Sequence, residues 1–556
     1  MDNQRIILWG LFATLAFITW TEWQRQTQPE PVMLPAEEVT APVAGTPALE
    51  PLPADSLPAP TADKVVGGDT LPAQPAAPAA APAVPNIVVE TDVLRVEISP
   101  RGGTLVKAEL LKYPVSKEAP DVPVTLFSEK PTDRYVLESG LIDSNKSGPT
   151  HNAILSSSSA SYKLAKGVKT LRVPLTWRSA DGVAVTKTFT FKRGRYDIDL
   201  DYAVTNGSTA DWFGLTYLRI SRVHNPPERS MFDVDSYSFN GPVYYDTEKY
   251  EKIDPEDLAD EPLDITVAGG WIASLQHHFV SAAVPIPDAE YRYDASFDNG
   301  IAVMRASGTE WLNVKPGEQG VFEAKLFAGP KNQKNLEETA EGLALTVDYG
   351  VLAILARPLF WLLQQVHDFV GNWGWSIILV TLLIKLAFYK LTEASGRSMA
   401  KMRKLQPRLK ALQERYKDDR QQLSQQMMEL YKREKVNPAA GCLPMLIQIP
   451  FFIAFYWVLL ESVEMRQAPF ALWITDLSSR DPFFVLPLLM GAAMFVQQKL
   501  NPAPPDPIQA KVMMFLPVMF TVFFAFFPSG LVLYWLTNSV LSVLQQWNIN
   551  RKMHAD

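Results

Sequence analysis

The chain has 556 residues, 52 Lys plus Arg against 60 Asp plus Glu, a formal charge of −8 and a single cysteine, Cys442. This length exceeds one compact domain, and one cysteine excludes an intrachain disulfide framework. Apolar content is an ordinary 47%, but apolar runs cluster at the start and after residue 350, which points to an integral membrane protein with a large soluble insert.

The first apolar run covers 6–21. No small-x-small cleavage site follows it; the next residues are Glu22, Trp23, Gln24 and Arg25, so 1–28 reads as an uncleaved signal anchor. Residues 29–85 hold fourteen prolines, no aromatic residue and one basic residue, Lys64. Such a stretch cannot bury enough surface to fold and reads as an extended linker. From 86 to 330 the pattern alternates, as in Leu94-Arg-Val-Glu-Ile98 and Asp197-Ile-Asp-Leu-Asp-Tyr-Ala-Val204. Many short strands divided by Gly, Pro and Asn turns predict an all-β sandwich. His277 and His278 are adjacent; on a strand they would face opposite ways and make a poor metal pair. No Gly-x-Ser-x-Gly nucleophile motif occurs, so this domain reads as binding or structural.

Residues 331–370 read as helical. The apolar part, 351–363, is short and interrupted by Arg357 and Pro358, which suits an amphipathic helix lying on the membrane surface. Residues 371–391 read as the second span, with Trp373 and Trp375 at one interface and Tyr389 and Lys390 at the other. Within it stands one full charge, Lys385. A lysine at mid-span costs ~2.5–3.5 kcal/mol on insertion scales. It either has a function or snorkels toward the surface near Lys390.

Residues 392–440 carry twelve Lys or Arg and six Asp or Glu. Met402, Leu405, Leu409, Leu412 and Tyr416 step by three and four, a coiled-coil seam, and Leu423, Met427 and Leu430 follow on a second helix beyond the polar turn around Asp419. This reads as an antiparallel helical hairpin outside the membrane, its basic face solvated near anionic lipid rather than bound to a specific nucleic acid. Four further apolar runs, 443–460, 483–498, 512–527 and 531–547, fill 441–548, before a short tail at 549–556. Only Arg466 and Arg480 lie in 461–482. The positive-inside rule therefore puts the hairpin and both termini in the cytoplasm and the β domain outside, an arrangement that fits a bacterial inner membrane and periplasm. Runs of sixteen residues reach ~24 Å, short of a ~30 Å hydrocarbon core, and such spans thin the bilayer.

Several stretches resemble the YidC/Oxa/Alb family of membrane protein insertases. They are Met399-Ala-Lys-Met-Arg-Lys-Leu-Gln-Pro407, Tyr431-Lys-Arg-Glu-Lys-Val-Asn-Pro438, Gly441-Cys-Leu-Pro-Met-Leu-Ile-Gln-Ile-Pro450, Arg466-Gln-Ala-Pro-Phe-Ala-Leu-Trp473 and Phe527-Pro-Ser-Gly-Leu-Val-Leu-Tyr534. The N-terminal anchor and outer β domain match its Gram-negative layout. The resemblance implies a six-span α-helical membrane protein whose five core helices enclose a polar groove open to cytoplasm and lipid, beside a periplasmic galactose-mutarotase-like β-supersandwich with no enzymatic role. It implies a membrane insertase and chaperone that needs no cofactor, metal or catalytic residue. Its partners would be nascent membrane protein clients, lipid, the Sec translocon with its accessory subunits and, as an option, the ribosome. It also implies groove roles for Lys385, Thr381, Tyr534, Gln448 and Pro450. The family usually has Arg where Lys385 stands, and lysine keeps the charge without the planar fork of donors. Two alternatives compete. A secondary transporter or channel lacks support in mid-span Asp or Glu residues and in an inverted repeat of broken helices. A tethered carbohydrate enzyme would need an acid–base pair that the sequence does not display.

Overall fold

The structure is a computed structural model that describes residues 85–145, 148–225, 238–287, 289–416, 419–434, 443–500 and 507–555. The expected anchor at 1–28, the linker up to residue 84, and Cys442 lie outside these residues.

Between Ile87 and Pro330 strands dominate. Alternation does the work predicted of it: Leu94–Ser99 buries Leu94, Val96 and Ile98 while Arg95 faces solvent. One sheet of eleven strands runs from Leu263–Ala268 through Glu290–Asp298, Ile301–Gly308, Trp212–Val223, Tyr135–Asp143, Thr104–Pro114, Leu94–Ser99 and Ile87–Glu90 to Ser161–Lys163. Leu312–Val314 pairs with Trp212–Val223, and Pro123–Leu126 with Thr104–Pro114. The other sheet has nine strands. It runs from Tyr250–Lys252 through Pro242–Tyr245, Trp271–Leu275, Phe279–Val284, Gln319–Pro330, Asp197–Asn206, Val183–Lys192 and Thr170–Arg178 to Ser156–Ser157.

The sheets face each other across one core that includes Val96, Leu137, Phe189, Tyr202 and Trp271. The Tyr202 hydroxyl donates to Ser139 Oγ of the opposite sheet at 2.9 Å. Lys187 also crosses the core. Its ammonium donates to the carbonyls of Gly102 (2.7 Å), Gly103 (2.9 Å) and Ser139 (3.3 Å), so all three N–H bonds are used. Burial pulls this lysine down to about 7. Gly102 has φ +70° and a Cβ there would meet the His151 backbone at 2.3 Å, so the turn that aims these carbonyls requires glycine.

The final strand runs into a junction with the helical part. Lys331, buried, donates from Nζ to Glu461 Oε2 at 3.2 Å. Asn332 caps α2 (Gln333–Thr339; α1 is the single turn Asp257–Asp260) by accepting from the Asn335 amide, and it donates from Nδ2 to Glu464 Oε1 at 2.8 Å. Arg466 and Gln467 donate to the carbonyls of Val115 and Pro114. Burial raises the Glu464 carboxyl to about 7. His277 and His278 close the same junction. They do not splay apart as expected of strand neighbours: they sit in the turn after Trp271–Leu275, off the two-residue period, and their rings stack at 3.7 Å. Burial first, then the charges of His277, Lys331 and Arg466, holds His278 well below the ordinary histidine value.

The helix continues through Arg357 and Pro358, which interrupt only its apolar run: α3 spans Ala353–Val370 and ends where Gly371 turns left-handed at φ 72°. Pro358 forfeits only one backbone bond, just after the first turn, whose amides lack helical partners anyway. One face of α3 buries Ala356, Leu359, Phe360 and Leu363; Ile354, Trp361 and Phe369 are exposed, the last at 93%. Then come α4 (Trp373–Ala387), α5 (Tyr389–Arg415), α6 (Arg420–Arg433), α7 (Leu443–Glu461), α8 (Val485–Leu500), α9 (Pro507–Phe524) and α10 (Ser529–Ala555). Leu405 and Leu409 of α5 pack with Leu430 and Tyr431 of α6, flanked by Met402, Leu412 and Met427. Among the described residues no single helix is both long and apolar enough to cross a membrane; α4 together with Tyr389–Ser398 passes on length and composition, bent by 64°. α10 packs on α4, α5 and α8; α3 packs on α4 and α7. α8 and α9 meet closely at Gly491, where a Cβ would lie 1.9 Å from Thr521 Oγ1.

Candidate functional site: a polar seam around Lys385

Asn372 starts α4 by accepting from the Trp375 amide at 3.1 Å. Three turns on, Lys385 is only 9% exposed, so it does not reach out past the helix end. Its ammonium donates to Ser542 Oγ of α10 at 2.8 Å. Among the described residues it has no carboxylate partner. Ser542 in turn donates to the Asn538 carbonyl at 2.7 Å. The Asn538 side-chain oxygen accepts from Gln448 Nε2 of α7 at 2.8 Å. A polar seam thus links three helices: Lys385 on α4, Ser542 and Asn538 on α10, Gln448 on α7.

The other expected groove residues take different positions. Tyr534 lies one turn before Asn538 on α10, is 3% exposed, and stacks its ring on Phe455 and Phe452 of α7 at 4.6 and 5.9 Å. Its ring therefore packs α7 against α10. Thr381 is one turn before Lys385 and buried, but its hydroxyl donates to the Ile377 carbonyl at 2.6 Å, within its own helix. Pro450 is half-buried inside α7; among the described residues no hydrogen bond ties it or Thr381 into the seam.

Ser542 and Asn538 were not singled out from the sequence. Their signal is nevertheless present: Asn538, Ser542 and Gln545 step by four and three along an otherwise apolar helix, and so share a face. Gln545 donates to the Tyr389 carbonyl at 3.4 Å, extending the stripe toward the bend between α4 and α5.

Chemically, the seam offers one cation, one hydroxyl and two amides. Among the described residues no group of three or more His, Cys, Asp or Glu could hold a metal ion. An unpaired cation buried among apolar helices attracts negative charge and cannot by itself break a bond.

Two family models match the chain: "YidC periplasmic domain" over residues 86–362 and "60Kd inner membrane protein" over 365–556. The protein named membrane protein insertase YidC in Thioalkalivibrio sulfidiphilus is 48% identical over 100% of this chain and 99% of its own length. Its namesake in Nitrosococcus oceani is 47% identical over the whole of both chains, and that of Methylococcus capsulatus 46% identical over 100% and 99%. Carrying both the periplasmic β domain and the helical inner-membrane part in one polypeptide, the chain belongs to the YidC family of membrane protein insertases.

Proposed function

We propose that the protein inserts membrane proteins into the bacterial inner membrane, and helps them fold, by way of a polar groove around Lys385. The observation that carries the groove reading is a lysine buried between helices with a hydroxyl as partner and, among the described residues, no carboxylate. In this reading the acidic part of a client segment is drawn to the ammonium and pauses part-way across. Water in a cytoplasm-facing groove keeps the ammonium charged at low cost. The client's own apolar span then moves sideways into lipid, releasing ~25 cal/mol per Å² of apolar surface buried. The energy comes from the client, so the protein lowers a barrier and consumes no nucleotide.

The topology that goes with this reading has six spans, the first near the N-terminus, with both ends and the α5–α6 hairpin cytoplasmic and the β domain periplasmic. The basic content of 392–440 supports it. Within the groove, Gln448 and Asn538 steer the polar segment, Tyr534 and Thr381 line the wall, and Pro450 loosens α7 beside Gln448. The Sec translocon and the ribosome would act as suppliers of clients to the same groove.

The test is a charge series read by protease protection of clients in cells depleted of the wild-type protein. Lys385→Arg retains insertion, Lys385→Ala impairs clients with acidic outer segments, and Lys385→Glu impairs them further; clients without such charges depend less on the residue. A stable, normally abundant Lys385→Glu protein that inserts acidic clients at the wild-type rate refutes the electrostatic step.

A further inference from the structure

Among the described residues the β domain also holds an arginine without a counter-ion, far along the chain from the groove. Arg222, on strand Trp212–Val223, is half-buried, with its guanidinium 4.7 Å from the Tyr135 ring centroid. Its Nη1 donates to the Leu275 carbonyl at 2.7 Å and to Ser274 Oγ at 3.1 Å. Among the described residues no Asp or Glu pairs with it. Its neighbours in the same sheet are treated differently. Arg219 pairs with Glu138 at 2.7 Å and Arg305 with Asp294 at 2.8 Å. Lys187, which is fully buried and also has no carboxylate partner among the described residues, uses all three of its N–H bonds on carbonyls. Arg222 has five N–H donors, and among the described residues its hydrogen bonds come only from Nη1. The Nε and Nη2 edge, the fork that takes a carboxylate in two parallel bonds, stays available.

This side chain lines a groove of about 570 Å³. Phe127, Val106, Tyr135 and Val223 give the groove apolar walls, and Gln276 and Asn225 add polar groups. Along it lies Pro123–Leu126, a strand that among the described residues pairs on one side only, with Thr104–Pro114. Thr125 of that strand faces the groove. The rim carries Glu97, Glu129 and Asp133 against Lys107 and Lys130, and Lys107 is already paired with Glu97 and Glu109. With its charges nearly balanced, the rim offers no cluster of free cations for a dense polyanion such as a phosphate chain. A single carboxylate on an extended, partly apolar chain suits both the floor and the rim: its backbone can run beside the open strand while one acidic group reaches the guanidinium.

We propose that this groove binds an extended polypeptide segment through one carboxylate, held by Arg222. The site is independent of the groove at Lys385, so failure of either reading leaves the other standing.

The test uses the full-length protein in nanodiscs and a fluorescein-labelled heptapeptide of alternating valine and threonine with one central glutamate. Fluorescence anisotropy measures binding of this peptide, of its glutamine twin, and competition by free glutarate. The glutamate peptide binds, the glutamine twin is weaker by about tenfold or more, as expected for loss of a charge-assisted pair, and Arg222→Gln removes the difference. Thr125→Trp fills the groove without touching Arg222 and weakens the glutamate peptide by a similar factor, which keeps the test decisive should Arg222→Gln fail to fold. Displacement of the labelled glutamate peptide by free glutarate at concentrations as low as those of the unlabelled peptide assigns the site to small carboxylates and overturns the polypeptide proposal. Equal binding of the two peptides, no binding at millimolar concentration, or a glutamate preference that survives in folded Arg222→Gln also overturns it.

Discussion

Glu461→Gln probes the junction between the β domain and α7. Lys331 and Glu461 are 3% and 6% exposed and stand 3.2 Å apart, with His277 Nε2 a further neighbour at 3.9 Å from the carboxylate. At this separation and an effective dielectric of ~20 the attraction is about 5 kcal/mol. Much of it is offset by removing two ions from water, so the pair adds little over apolar replacements of similar size. Removing one partner is different. Glu461→Gln leaves the Lys331 ammonium buried without its counter-charge, and a cost of ~3–5 kcal/mol is expected. The double variant Lys331→Met with Glu461→Leu removes both charges and is expected to recover most of that loss.

Hydrogen exchange of the full-length protein in nanodiscs reads this locally, which avoids treating a two-part membrane protein as a two-state system. The Lys331 amide donates to the His278 carbonyl at 2.9 Å and the Ser462 amide to the Val458 carbonyl at 3.2 Å, so both report opening of the junction. A loss of ~3 kcal/mol accelerates their exchange by about a hundredfold or more. The reasoning fails if Glu461→Gln exchanges within about threefold of wild type, or if the costs of the two single changes simply add in the double variant.

Two further outcomes follow from neighbouring groups. His278 has a folded-state value below its unfolded one, so opening the junction takes up a proton: protection is lost as pH falls below about 6.5, the ordinary histidine value. Glu464, held up to about 7 by burial, acts with the opposite sign over roughly pH 4.5–7. The readout is therefore the difference between wild type and His278→Gln, whose exchange at the Lys331 amide should accelerate less on going from pH 7 to 5; equal acceleration in both proteins would falsify the assignment to His278. In the α5–α6 hairpin, Leu409 is 5% exposed within a narrow apolar seam, and Leu409→Asp should unfold it and lower client insertion while the protein remains in the membrane. A cysteine at Gln421, in a Cys442→Ser background, then labels faster from the cytoplasmic side; labelling from the periplasmic side, or full insertion with an unfolded hairpin, removes the hairpin from the mechanism.

The features legible in the sequence were those carried by local pattern. The two-residue period marked Leu94, Val96 and Ile98 as inward-facing, and heptad spacing marked Leu405, Leu409 and Leu430. Lys385 stood out because a full charge in an apolar run has few explanations. What pattern could not supply was partnership across distance. Lys331 and Glu461 are separated by 130 positions, and neither belongs to a motif. Arg222 lies in an ordinary alternating strand; only the folded sheet reveals that its cross-strand and core neighbours give it no carboxylate. The opposite orientation expected of His277 and His278 on a strand does not apply, because a turn suspends the strand period and their rings stack instead. Thr381 was on the face expected, yet its hydroxyl turns back onto its own helix, a local choice that buried threonines in helices commonly make.

α7 meets the two ends of the problem at once. Glu461 at its C-terminal end is gripped by Lys331 of the β domain, and Gln448 near its start donates to Asn538 in the seam that holds Lys385. The thirteen steps between them correspond to ~20 Å of helix. A continuous helix would carry a displacement at one end to the other. Pro450 stands between, two residues from Gln448, where its missing N–H and its ring weaken the backbone ladder. The β domain can therefore fix where the C-terminal part of α7 stands without dictating the angle at which Gln448 meets Asn538. On this basis Glu461→Gln should disturb exchange at the junction far more than it disturbs insertion of acidic clients, whereas Lys385→Ala should do the reverse. If Glu461→Gln lowers insertion of acidic clients as much as Lys385→Ala while the protein stays abundant, α7 transmits as a rigid rod and Pro450 does not uncouple its two ends.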